Sequence, residues 1–115
     1  MEPIFYSSEA TPDINVSRAW SMLQSGSMEG LEWLYMEYAE EMFKVGMALV
    51  PDRDFVWDCV QDVFVDLWKY HQNLASTDQV RLYLYKSLSN KIKREAKKHR
   101  KEGRPVEPSE IESVY

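Results

Sequence analysis

Ten of the fourteen Lys and Arg residues of this chain fall between Arg81 and Arg104. Only Glu95 and Glu102 oppose them there, so the stretch carries a net charge of +8. The remaining residues hold four Lys/Arg and seventeen Asp/Glu, and the chain as a whole averages to −5. Cations at this density can neutralise the phosphates of a polyanion. Lys86, Asn90, Lys93, Lys97 and Arg100 recur at spacings of three and four, so a helix presents them on one face, flanked by Lys91, Arg94 and Lys98. A helix C-terminus also favours cations through its dipole. That accounts for two or three charges, not ten. Asn90 on this face can hydrogen-bond a base edge or pack against the neighbouring loop. A second pattern has the opposite sign. Asp58, Asp62 and Asp66 lie at i, i+4 and i+8, with Gln61 beside them. Like charges at that spacing slightly destabilise a helix. The pattern fits a solvated face, or a surface for a basic partner.

Catalysis has little to work with. His71 and His99 stand 28 positions apart, and the single Cys59 sits among apolar neighbours. No metal-ligand spacing, glycine-rich phosphate loop or nucleophile–base pair occurs. His99, inside the basic tract, is expected to be solvated. The sequence predicts neither an enzyme nor a bound cofactor.

Four helices must position these groups. Thr11-Pro12 reads as an N-cap followed by proline in the first turn. A short helix follows, with Ile14, Ala19, Trp20 and Leu23 inward and Gly26 as its stop. Ser27 caps a second helix to about Val50, whose apolar stripe includes Leu34, Tyr38, Met42 and Leu49. Pro51 breaks it. Asp54 is expected to cap a third helix to about His71, with Val56, Val60, Val63, Phe64, Leu67 and Trp68 inside. Asn73 to Thr77 is a polar loop, and Thr77 or Asp78 caps a fourth helix to about Lys101. Val80, Leu84, Leu88 and Ile92 are its buried stripe. Tyr85 is expected in the core and Tyr83 outside. The last turns are expected to project beyond the core.

At 115 residues, 44% hydrophobic, the chain fits one all-α domain: three main helices in a compact bundle plus a short leading one. Residues 1–11 read as a flexible start, 12–101 as the helical domain, and 102–115 as a flexible tail or linker. A lone cysteine fits a reducing compartment. No apolar run approaches the roughly 18 residues of a membrane span, and the start has no signal-peptide pattern. A cytoplasmic location without membrane insertion is expected.

The motifs, taken in order, resemble a known family. Leu31–Tyr35, then Asp52-Arg53-Asp54, then Val60-Gln61-Asp62-Val63-Phe64-Val65-Asp66-Leu67-Trp68, then Tyr83-Leu84-Tyr85-Lys86-Ser87 with Asn90-Lys91 are similar to region 2 of bacterial extracytoplasmic-function sigma factors. The wording of the last motif is most like members from the Bacteroidetes. The resemblance covers roughly residues 14–101. It implies a transcription-initiation domain. Asp58, Gln61, Asp62, Val65 and Asp66 would dock on the β′ clamp helices of core RNA polymerase. The loop residues Asn73, Leu74, Ala75 and Ser76 would form a pocket for a base flipped from the −10 non-template strand. Tyr83, Lys86, Asn90, Lys91, Lys93, Arg94, Lys97 and Lys98 would line the promoter DNA. An anti-sigma factor is compatible with this reading, because it would cover the same faces. Two departures stand out. Nothing resembles region 4, the −35 reader, and the basic helix is rich in Lys where many relatives carry Arg. The rival expectation is a helical protein-interaction module, an adaptor or a sequestered domain with no role on DNA.

Overall fold

The computed structural model describes residues 14–101, so the Thr11-Pro12 start, the N-terminal stretch and the tail lie outside the described residues. Those residues form an all-α bundle. Its helices are α1 (Val16–Gln24), α2 (Met28–Leu49), α3 (Arg53–Lys69) and α4 (Val80–Lys101), with a single 3₁₀ turn at His71–Asn73. Helix α2 is central and packs against the other three. One short helix and three long ones match the architecture expected from the sequence.

The breaks between helices follow from local chemistry. Asn15 caps α1, its side chain accepting from the Arg18 amide at 2.9 Å. At the other end Gly26 takes φ +89°, a conformation that strains any residue with a Cβ. The Gly26 amide donates to the Leu23 carbonyl and the Ser27 amide to the Met22 carbonyl, both at 2.9 Å, which closes a Schellman motif. Ser27 precedes α2, but its side chain makes no capping bond. Pro51 forces Val50 into extended backbone and ends α2.

Helix α3 starts earlier than the sequence pattern implied. Asp52, not Asp54, is the N-cap, accepting from the Phe55 amide at 3.2 Å. Asp54 lies inside the first turn, where only the helix dipole favours it. Asp52→Ala should therefore cost about 1 kcal/mol. Asp54→Ala should cost less, about 0.5 kcal/mol. Urea unfolding of the two variants checks this, and the reverse order would restore Asp54 as the cap. Helix α4 starts later than expected. Thr77 Oγ1 accepts from the Gln79 amide at 2.9 Å, and the first helical bond runs from the Tyr83 amide to the Gln79 carbonyl.

The core has the expected membership. Leu34, Met42, Val56, Val60, Leu84, Leu88 and Ile92 are fully buried. Trp68 is the exception among the expected α3 residues and is only half-buried. Cys59 is buried too, and burial pushes its thiol up to about 12, so it stays protonated and unreactive at neutral pH. Tyr85 is half-buried rather than fully inside, and desolvation raises its hydroxyl. The inward stripe of α4 runs on through buried Ala96 to half-buried His99. The His99 ring stands edge-on to Phe55 at 5.1 Å. This corrects the expectation of a solvated His99 on a free helix end.

Candidate nucleic-acid and protein-binding surfaces

A pocket of about 210 Å³ opens between α3, the loop and α4. Val63, Asp66, Leu67 and Tyr70 line it from α3 and its C-terminal end, Leu74 from the loop, and Tyr83, Ser87, Asn90, Lys91 and Arg94 from α4. This is below the roughly 300–1,000 Å³ of a drug-sized pocket and suits one planar ring. Tyr83 is 39% exposed and Tyr70 51%. Tyr83 is braced from behind by Trp20, edge to face at 5.3 Å. The structure thus gathers Leu74, Tyr83, Asn90, Lys91 and Arg94 at one place.

The loop's polar groups are used differently than the sequence implied. Trp20 Nε1 donates to the Ala75 carbonyl at 3.0 Å. Gln24 Nε2 donates to the Leu74 carbonyl at 2.8 Å and to Ser76 Oγ at 3.3 Å. These bonds tie the loop to α1. Asn73, Ala75 and Ser76 do not line the pocket, and Leu74 is the loop's contribution to it. The pocket lies mainly between α3 and α4, with Leu74 lining it from the loop.

Along α4, Lys86, Asn90, Arg94, Lys97 and Lys98 are exposed and Lys93 is half-buried. Lys91 differs. Its side chain is 14% exposed, and its Nζ meets Asp66 Oδ2 at 2.9 Å. The pair links α4 to α3, with the Asp66 side chain still 44% exposed. Each residue of an α-helix turns the chain by about 100°, so i+4 steps drift by about 40° and Asp66 lies about 80° around from Asp58. That drift carries Asp66 off the acidic face and against α4. Gln61 is also committed internally, donating to the Tyr35 hydroxyl at 2.7 Å and linking α3 to α2.

Asp58, Asp62 and Val65 keep the outward position, with Val65 58% exposed. Helix α2 adds what the sequence pattern missed. Met36 is 82% exposed. With Leu31, Glu32, Tyr35 and Phe64 it forms an open apolar cleft of about 320 Å³. The result is an apolar strip spanning α2 and α3, with Glu32 at its edge. Tyr70 was missed as well. It follows Val63 and Leu67 at helical spacing, which was the available signal.

Among the described residues no three His, Cys, Asp or Glu side chains are grouped to hold a metal ion. No described helix is long and apolar enough to cross a membrane. No family model, curated protein or solved structure matches the chain.

Proposed function

We propose that this domain is a transcription-initiation module of the sigma region 2 type, acting in the bacterial cytoplasm. It docks on core RNA polymerase through the outer face of α2 and α3, and it holds single-stranded promoter DNA along α4. One arrangement carries this reading. An aromatic-walled pocket opens beside the exposed cations of α4, while a separate apolar strip, with Glu32 at its edge, spans α2 and α3.

Each part fits its role physically. Exposed Lys and Arg neutralise backbone phosphates without regard to sequence. The pocket beside them offers ring faces at Tyr70 and Tyr83 for an unstacked base. Asn90, Ser87 and the Asp66–Lys91 pair supply donors and acceptors at its wall. Across the domain, Asp58 and Asp62 steer a basic partner surface, and Val65 and Met36 give it an apolar footing. The polymerase partner itself comes from the family resemblance. A protein-interaction module without a role on DNA would need only the second face.

The test is binding of the full chain to bacterial core polymerase, with Asp58→Lys/Asp62→Lys alongside. Asp66 is left intact, because changing it would break its pair with Lys91. The expected result is wild-type binding and a loss of about tenfold or more in the variant, mostly through slower association at low salt. A wild-type chain that ignores polymerase while correctly folded would sink the proposal.

A further inference from the structure

None of the described residues that line the pocket beside α4 comes from α1, yet α1 holds two of its walls. Trp20 and Gln24 stand one turn apart on that helix, Trp20 buried and Gln24 half-buried. The Gln24 side chain donates to the Leu74 carbonyl at 2.8 Å and to Ser76 Oγ at 3.3 Å. Trp20 Nε1 donates to the next carbonyl, that of Ala75, at 3.0 Å. The same indole meets the Tyr83 ring edge to face at 5.3 Å. Leu74 is the loop's wall of the pocket, and Tyr83 is an aromatic wall on α4.

The loop needs such support. Residues 74–79 belong to no helix, and a segment of that kind opens easily unless its backbone groups are held. Here the donors for two successive carbonyls come from a helix fifty or more positions upstream. One α1 face therefore ties the loop wall and the α4 wall to a single frame. Walls that are already fixed cost a ligand nothing to order, whereas free walls must be ordered at each binding event and affinity falls accordingly. Phosphate contacts ask nothing of this frame, because the exposed cations of α4 act through charge alone.

We propose that Trp20 and Gln24 are positioning residues for the capture of an unstacked base. They touch neither base nor phosphate. They hold Leu74 and Tyr83 in the arrangement that receives the ring, so their loss weakens base capture and leaves backbone binding intact. The inference rests on the role given to the pocket in the proposed function. It adds α1, a helix remote from the basic face, to the parts that set affinity for single-stranded DNA.

The experiment is binding of the full chain to a single-stranded oligodeoxynucleotide of mixed sequence and to an abasic strand of equal length, for wild type, Gln24→Met and Trp20→Phe. Methionine keeps the length and helix propensity of glutamine without a donor. Phenylalanine keeps a ring against Tyr83 without the N–H. The wild type should prefer the base-bearing strand by about tenfold. Each variant should cut that preference to about twofold, with abasic binding and the salt slope unchanged. A preference that stays at the wild-type value, even with both affinities lowered together, overturns the positioning role and leaves the pocket standing. A wild type without preference overturns the pocket reading and the inference with it. Should Trp20→Phe fail to fold, Gln24→Met decides alone.

Discussion

Gly30→Ala is expected to remove about 3 kcal/mol from the stability of the domain. Gly30 lies in the first turn of α2, where α1 crosses it. A Cβ built there falls 2.5 Å from the Ala19 carbonyl oxygen and 2.8 Å from the Leu23 amide nitrogen. Both are backbone atoms of α1, so no rotamer change relieves the overlap. Alanine's better helix propensity returns at most about 1 kcal/mol. The clash therefore decides the sign. A domain of this size has on the order of 5–10 kcal/mol in total, so the loss is a large fraction. With a slope near 1.5 kcal/mol per molar, the urea midpoint falls by about 2 M. Gly46 is the control. Its added Cβ would meet a side-chain methyl, Val56 Cγ1, at 2.6 Å, and truncating Val56 makes room. Function follows from the same contact. Trp20 and Gln24 on α1 hold the loop through the Ala75 and Leu74 carbonyls. A displaced α1 lets go of Leu74 at the pocket. A Gly30→Ala protein that unfolds with the wild type would show that α1 can ride off α2 without cost.

How far the sequence could be read depended on whether a position answers to its own helix or to a neighbour. Val80, Leu84, Leu88 and Ile92 lie four apart with no competing signal, and all four are buried. Gly26 had one physical use, a left-handed stop, and has it. The sequence is ambiguous where two candidates stand close together. Asp52 and Asp54 both suit an N-cap, but Pro51 ends α2 so sharply that the chain re-enters a helix at once. Asp58, Asp62 and Asp66 share a spacing, yet successive i+4 steps wind around the helix, and Lys91 on another helix pairs with the last of them. Sites shared between helices were the least legible. The Met36 strip does not show in one helix alone, because it needs the register of α2 against α3. The family resemblance implies a base pocket in the polar loop, and no local pattern shows that Trp20 and Gln24, fifty or more positions upstream, hold the Ala75 and Leu74 carbonyls.

Neutralising Arg94, Lys97 and Lys98 together, each to glutamine, should weaken binding of single-stranded DNA by about 100-fold at 0.1 M salt. The figure follows from counterion release. Each phosphate contact on a single strand contributes a slope of about 0.7 in log affinity against log salt, so at 0.1 M it is worth about fivefold, and three contacts multiply to about a hundred. The same logic fixes the shape of the result. The slope should fall by about 2, and the wild-type and variant lines should converge as salt approaches about 1 M. Parallel lines would mean that these cations do not touch phosphates and that affinity comes from the pocket. The competing account of the basic tract, cations placed to suit the dipole of α4, gives a different outcome. Dipole compensation fades beyond the last turn, which here holds Lys98, His99, Arg100 and Lys101. Arg94 and Lys97 lie before it, and both are exposed. On that account the triple variant loses under about 1 kcal/mol of stability through Lys98 alone, and any DNA affinity is untouched. Glutamine serves better than glutamate here. Reversal would set three acids around Glu95 and weaken the helix through like-charge repulsion, whereas glutamine keeps helix propensity near that of lysine and arginine. A change in binding without a change in melting then belongs to the charge itself.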